Sequence, residues 1–368
     1  MKANRHIVCT VTNDLNQDQR MARICTTLAD YGYHVTLVGR QKGDSLPYGN
    51  PVFKWKRLDV FFNSGFLFYA EYNIRLLIYL LKRRNDIDII YTVDTDTLAA
   101  GGIFKFLTSK KQIFDAHEYF TEVPELQDRR FVKWFWNMIE IIFVPRANAH
   151  ISVNRSLAEI LGNKFKKVFT PIMNVPFLNK ASNSNSDKVN KTILYQGMLN
   201  KGRGLEQMIY AIEKISNAEL NIIGEGDLSE YLRKIAEESP AKKRIHFLGW
   251  IDSEQMAEYT NKASLAVNLL DGSSKSYYFS LANKFFDYIH AGVPSVNMDF
   301  PEYRHIIGKY SVGITIPNLD IETIAAAINI LLSNPEKRDQ MAKECIKAKL
   351  VYNWETERKK LMNIIDSL

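Results

Sequence analysis

Hydrophobic and polar positions along this chain follow two alternating periods. Short apolar runs rich in β-branched residues, HIVCTVT, HVTLVGR, IDIIYTVD, QIFDAHE and AHISVN, predict buried strands. Amphipathic stretches between them predict helices, the first over about 18–31 and another around 134–144. Past residue 190 the alternation restarts with TILYQG, AELNIIGEG, RIHFLGW, SLAVNLL and PSVNMD, each followed by a helical pattern. Strands that alternate with helices build parallel sheets, because a parallel connection needs a crossover long enough to hold a helix. The pattern therefore predicts an α/β chain with two doubly wound, Rossmann-like domains, 1–172 and 173–352. The low-complexity stretch 178–190 predicts a surface linker, and a final helix over 353–368 predicts a return to the first domain. Ligands of open α/β sheets bind beyond the carboxyl ends of the strands, so two such domains facing across a cleft place a site in the strand-end loops.

Two apolar runs, 61–81 and 131–145, test for membrane spans. Glu71 and Arg75 interrupt the first, and the second is too short for the roughly 20 residues a bilayer requires. Both predict amphipathic or buried helices. The first ends in Lys82, Arg83 and Arg84, a pattern that also suits an anionic membrane surface.

Composition changes this picture little: 368 residues with 46% hydrophobic and 24% charged suit two globular domains. The three cysteines, Cys9, Cys25 and Cys345, are odd in number and far apart, which suits a reducing compartment, and without a Cys-x-x-Cys pair no zinc site is expected. The first residues turn polar after one short strand and show no secretory pattern, so the expected location is cytoplasmic. Charge adds more. Residues 1–172 carry 24 Lys and Arg against 17 Asp and Glu, whereas 173–368 carry 24 against 24, so the net +7 resides in the first half. Such a surplus attracts anionic substrates, acidic lipid or nucleic acid.

The candidate chemistry lies in four strand-end loops of the second half. In QGMLNKGRG, Gly197 and Gly204 permit close backbone approach, while Lys201 and Arg203 offer cations at a helix start, a setting for a diphosphate. The next strand ends at Gly224 and Gly226, with Asp227 or Ser229 as candidate helix caps. A dinucleotide fingerprint fails here, because Ser229 replaces the third glycine and Lys242, Lys243 and Arg244 stand where an acid would be needed. The third loop holds Gly249, Trp250 and Ile251, and the fourth precedes Asp287, five residues before Gly292. In the first half, Asp115, His117 and Glu118 end the strand QIFDAHE. Asp94-Thr95-Asp96 spells D-x-D, but Asp96 or Thr97 suits a helix cap better than a metal.

These loops, in this order and with DAHEYFTEVPE at 115–125 and IMNVP at 172–176, resemble the family 4 glycosyltransferases of the GT-B fold across essentially the whole chain. The resemblance implies a retaining enzyme that moves a sugar from a nucleoside diphosphate sugar to a glycan or lipid-linked acceptor in cell-surface polysaccharide or glycoconjugate assembly, with no metal or other cofactor and no nucleic-acid partner. It implies catalytic roles for His117, Arg203 and Lys284. Donor binding would fall to Gly197, Gly204, Gly224, Gly226, Trp250, Ile251, Ala282, Asn283 and Asp287, and the acceptor side to Asp115 and Glu118. Three departures stand out. The family's Glu-x7-Glu pair reads Phe279 and Asp287, the basic residue after the first glycine is Met198, and TNDLNQDQR lacks paired glycines, leaving Asn13 or Asn16 for any phosphate contact. Phe279 and Met198 keep open a catalytically silent nucleotide-sugar-binding protein, and the shared fold keeps open a nucleotide-sugar epimerase.

Overall fold

In the computed structural model the opening apolar run becomes β1 (His6–Thr10), and Asp18 starts α1 (Gln19–Asp30) by accepting the Met21 N–H at 2.9 Å. Met21, Ile24, Cys25 and Leu28, at helical spacing, bury the inner side of α1. There follow β2 (His34–Arg40), β3 (Lys54–Leu58), α2 (Gly65–Lys82), β4 (Ile89–Val93), α3 (Asp94–Thr108), β5 (Lys111–Ala116), α4 (Arg130–Phe143), β6 (Ala149–Ser152), α5 (Arg155–Phe165) and β7 (Thr170–Pro171). These seven strands form one parallel sheet in the order β3-β2-β1-β4-β5-β6-β7. The order reverses between β1 and β4, where Ile7 pairs with Val35 on one side and Ile89 on the other. Such a reversal opens a crevice at the strand ends.

The structure describes residues 5–43, 45, 47–178 and 191–368, so the expected linker lies, from 179 on, outside the described residues. The second sheet comprises β8 (Thr192–Gln196), β9 (Glu219–Ile223), β10 (Ile245–Gly249), β11 (Leu265–Asn268), β12 (Ser295–Met298) and β13 (Gly313–Ile316), in the order β10-β9-β8-β11-β12-β13. Its helices are α6 (Leu205–Ala211), α7 (Ser229–Glu238), α8 (Ser253–Lys262), α9 (Lys275–Tyr278), α10 (Asn283–His290), α11 (Pro301–Tyr310), α12 (Ile321–Leu332) and α13 (Pro335–Lys349). The last helix, α14 (Trp354–Asp366), starts in the second unit, Val175–Glu357. From Arg358 on it belongs to the first unit with Met1–Asn174, where Tyr33 Oη donates to Asp366 Oδ1 at 3.3 Å.

Two elements depart from the sequence pattern. Strand β3 lies at a sheet edge with Lys54, Trp55 and Lys56 exposed, so no buried period announced it. Helix α4 buries Glu140 beside Trp136 on its inner side, while Phe131, Trp134, Met138 and Ile141 face outward. Among the described residues no helix is long and apolar enough to cross a membrane.

Candidate active site

In the first unit the ends of β4 and β5 bring together a buried polar network. Arg20, on the inner side of α1, donates two hydrogen bonds from one guanidinium nitrogen to the Asp115 carboxylate at 3.0 and 3.1 Å, and another nitrogen bonds Ile172 O at 2.7 Å. Tyr91 Oη donates to the same carboxylate at 2.7 Å. Burial alone would raise the Asp115 pKa, but the Arg20 charge and the His117 and Tyr91 bonds outweigh it and hold the acid well below the carboxylate range. His117 Nε2 lies 3.0 Å from both Arg20 Nε and Asp115 Oδ2. A bond from Arg20 requires that nitrogen bare and a bond to Asp115 requires it protonated, so one proton decides which partner holds the ring.

This geometry corrects the acceptor-side expectation for Asp115, which has no exposed surface and spends its oxygens on Arg20, Tyr91 and His117. It positions His117, which is 18% exposed, and Glu118 is exposed beside it. The capping expectation for Asp96 or Thr97 also fails. Helix α3 begins at Asp94, whose left-handed φ of 51° turns its carboxylate to the His117 N–H at 2.7 Å. Asp96 instead accepts from the Thr12 hydroxyl, and Thr97 donates to Val93 O at 2.8 Å. Burial pushes the Asp96 carboxyl up to about 6 and also raises the Asp94 carboxyl well above its ordinary value, with Glu118 and Asp96 adding repulsion at Asp94. Among the described residues no cluster of His, Cys, Asp and Glu is arranged to hold a metal. Of the two asparagines after β1, Asn13 donates to Asp18 Oδ2 at 3.1 Å, and the Asn16 N–H donates to Asp14 at 3.1 Å.

In the second unit the loops after β8, β9 and β10 are stitched edge to edge. Gly197 N bonds Ile223 O at 2.9 Å, Gly224 N bonds Gly249 O at 2.9 Å and Leu199 N bonds Glu225 O at 3.2 Å. The approach is so close that a Cβ on Gly224, at φ +126°, would lie 2.1 Å from Gly197 O, and one on Gly226 would lie 2.2 Å from Asn200 Oδ1. Neither Asp227 nor Ser229 caps α7; Ser229 Oγ accepts the Gly226 N–H at 2.8 Å and fixes the loop instead.

Against this loop stand two cations. Lys284, 8% exposed on α10, sets its Nζ 3.7 Å from the Tyr195 ring centroid and 3.2 Å from where a Gly197 Cβ would be. Burial and then the Arg203 charge push its pKa well down, against a smaller opposing pull from Asp287. Arg203 lies over the Tyr277 ring at 5.1 Å, and its Nε is buried with no hydrogen-bond partner. Among the described residues neither cation makes an ion pair. Like charges gathered beside a cradle of glycine backbone suit a multivalent anion. Asp287 follows Lys284 by one turn of α10, and its Oδ2 accepts from Gln196 Nε2 at 2.9 Å, while Gln196 Oε1 accepts from Thr260 at 2.9 Å. Gln196 thus aims Asp287, a role that no motif marked. Ala282 and Asn283 start α10, and Gly204, at φ +64°, starts α6. Trp250 is 64% exposed, whereas Ile251 packs on the core around Leu194 and Tyr288. Phe279, in the position of the missing acid, packs edge-on against Tyr278 at 4.9 Å, and the Met198 carbonyl accepts from Tyr195 Oη at 2.7 Å.

The stitched loop gives a direct expectation. Gly224→Ala will destabilise the second unit by about 2 kcal/mol or more, because it combines a disfavoured φ with a backbone clash. Gly32→Ala, also at positive φ but with nothing within 4 Å of the new Cβ, will cost only about 1 kcal/mol. Urea denaturation of both variants compares them, and equal losses would remove the clash as the cause.

Residues 178–348 match the family described as glycosyl transferases group 1, and residues 18–171 match glycosyltransferase family 4. Among curated proteins, an uncharacterized glycosyltransferase of Methanocaldococcus jannaschii is 26% identical over 47% of this chain and 44% of its own length. A phosphatidyl-myo-inositol mannosyltransferase of Mycobacterium leprae is 26% identical over 49% of this chain and 48% of its own. The chain thus spans about half the length of the curated relatives it matches. Among solved structures, sucrose-phosphate synthase from Thermosynechococcus elongatus superposes with a TM-score of 0.80 at 17% identity, over 99% of this chain and 98% of that one. Anabaena HepE in complex with UDP gives 0.77 at 12% identity over 99% and 100%. The two family matches follow one another along the chain and together span most of it, which marks it as a GT4-type glycosyltransferase, and its two-sheet α/β fold is that of the GT-B glycosyltransferases.

Proposed function

We propose that this chain is a retaining glycosyltransferase that takes a sugar from a nucleoside diphosphate sugar and passes it to a glycan or lipid-linked acceptor in cell-surface glycan assembly. The observation that carries this reading is the pair Arg203 and Lys284, two basic side chains with no ion-pair partner among the described residues at the Gly197–Gly204 loop, where a bound anion would hold the buried Lys284 in its charged form. As the bond from the anomeric carbon to the diphosphate breaks, negative charge gathers on the leaving group, and cations fixed in advance stabilise that charge more than the ground state. The acceptor oxygen forms the new bond on the same face, and its proton goes to the departing phosphate oxygen. Proton and charge then balance without a metal or a protein nucleophile. Asp287, aimed by Gln196, accepts the ribose hydroxyls. His117 touches the sugar or the acceptor, its Nε2 held by Asp115 when protonated and by Arg20 when bare, while Tyr91 fixes Asp115.

A nucleotide donor is supported by HepE, whose solved complexes contain UDP and UDP-glucose. A lipid-linked acceptor is supported by the phosphatidyl-myo-inositol mannosyltransferase among the relatives. The three buried thiols suit the reducing cytoplasm, where we place the reaction. The test is mass spectrometry of products from a mixed panel of donors and acceptors in the presence of EDTA. Glycosylated acceptor and nucleoside diphosphate in equal amounts are expected, and Asp287→Ala should weaken binding of the free nucleotide. Absence of product in EDTA with recovery on added metal would overturn the metal-free reaction. Donor isomerised with no acceptor present would replace the transferase with an epimerase, and undiminished nucleotide affinity in Asp287→Ala would remove the ribose contact.

A further inference from the structure

Arg40 is the last residue of β2, one strand away from the reversal between β1 and β4, at the strand ends where such a sheet takes its ligands. Its backbone N–H bonds Asn13 O at 3.2 Å, which fixes its root beside the loop after β1. The side chain lies over the Phe68 ring of α2, 4.4 Å from the centroid, and Nη1 donates to Asn63 O at 3.0 Å. The other edge of the guanidinium is unspent. Nε is buried with no hydrogen-bond partner, and among the described residues Nη2 has no acceptor and the charge no ion pair. A buried donor without a partner is costly and points to a ligand.

Acids of the neighbouring segments are committed elsewhere. Asp14 pairs with Arg57 at 2.9 Å, Asp18 caps α1, and Glu71 holds Arg75 at 2.7 Å together with the Phe61 and Phe62 N–H groups. Asp96 does not balance Arg40 either. Burial raises its carboxyl to about 6 against the pull of Thr12 and His117, and a guanidinium paired with it would have drawn that value down.

From Arg40 a row of rings leads toward His117. Phe68 meets Tyr69 at 4.9 Å, Tyr69 meets Trp136 edge-on at 5.0 Å, and Trp136 meets Phe120, three residues past His117, at 5.2 Å. Tyr69 senses both ends: burial and the Asp96 charge raise its hydroxyl to about 12, and the Arg40 charge opposes them. The first unit thus carries a cation at one end of an aromatic row and a histidine at the other.

Aromatic side chains suit the ring of a sugar, and Nε with Nη2 forms a fork that matches two oxygens of one oxyanion. A phosphate ester meets both demands, since its charge sits on terminal oxygens while a bridging oxygen joins it to the sugar. Resting on the transferase reading, with the reacting hydroxyl at His117, we propose that Arg40 recognises a phosphate ester on the acceptor. The acceptor is then a sugar phosphate or a phosphate-linked glycan, and a neutral sugar is a poor substitute.

The experiment is phosphorus NMR of the full chain with inorganic phosphate and no donor or acceptor. The parent should show two phosphate sites, Arg40→Gln and Arg203→Ala should each weaken a different one, and the double variant should weaken both. Loss of the Arg203 site alone leaves the Arg40 site standing, so this outcome is separate from that of the donor reading. In the Arg203→Ala background, glucose 1-phosphate, its octyl diester and octyl glucoside are then compared. Adding Arg40→Gln should weaken both phosphates by about 10–100-fold and leave octyl glucoside unchanged. Arg40→Lys keeps the charge without the fork and should recover part of the loss. Tighter binding of the diester would support a lipid-linked acceptor, and tighter binding of the monoester a soluble sugar phosphate. A single phosphate site in the parent that Arg203→Ala removes, or phosphate affinity unchanged in Arg40→Gln, would overturn the proposal. So would octyl glucoside weakened as much as the phosphates, or nucleoside diphosphate affinity lowered by Arg40→Gln as much as that for glucose 1-phosphate.

Discussion

Arg203→Ala is expected to lower the turnover number by about 2–4 kcal/mol of transition-state stabilisation, the usual cost of deleting one fixed charge donor from an active site. Nucleotide affinity should fall less than turnover, because the charge that Arg203 meets grows as the glycosidic bond breaks. The buried, unpartnered Nε and the Tyr277 ring beneath the guanidinium hold the group ready. Arg203→Lys keeps a charge but loses the fork and the stacked plane, so it should recover only part of the rate. The effect should exceed that of changing the exposed Lys201 on the same loop. Steady-state kinetics with titrated nucleotide separates the two constants, and an unchanged turnover number in Arg203→Ala would take this residue out of the diphosphate site.

The second large effect concerns folding. Asp115→Asn removes one member of a buried ion pair and leaves the Arg20 charge uncompensated, at an expected cost of about 3–5 kcal/mol. Replacing both partners, Arg20→Met with Asp115→Leu, should restore most of the loss, provided Tyr91→Phe removes the hydroxyl that would then lack its acceptor. The pH dependence has a definite sign. The folded-state pKa of Asp115 is depressed, so its stabilisation is complete above the unfolded value of about 3.9 and drains away as pH falls toward the lower folded value. Urea midpoints at neutral and acid pH check this. A parent protein that loses no more stability in acid than Asp115→Asn would contradict the assignment.

The distribution of these groups explains what was legible in the sequence. Both parallel sheets followed from the alternating periods, because buried parallel strands are nearly continuous apolar runs, but the edge strands β3, β7 and β13 were not among the runs read as strands. The edge strand β3 escaped because only Arg57 and Leu58 of its five residues are buried, and Arg57 is held there by its pair with Asp14. Arg203, Lys284 and the glycines were legible as motif positions. Arg20, Tyr91 and Gln196 were not, since they meet partners on elements distant in sequence, although one sign was present: Arg20 precedes Ile24 and Leu28 at intervals of four and so falls on the inward side of α1. For α4 the period was legible and its direction was not, because nothing in the helix itself said that Lys164 and Thr95 would draw Glu140 inside.

The path of α14 bears on how the protein is made. The first unit needs Arg358–Leu368, so although ribosomes release its first 174 residues early, it waits for the 183 residues of Val175–Glu357 before its last piece exists. At typical synthesis rates that is a delay of about 10–40 s, during which the partner of Tyr33 is missing and the outward apolar helices are already in solution. The second unit meets no such wait. It can close as soon as it emerges, so the order of completion on the ribosome is the reverse of the order in the sequence.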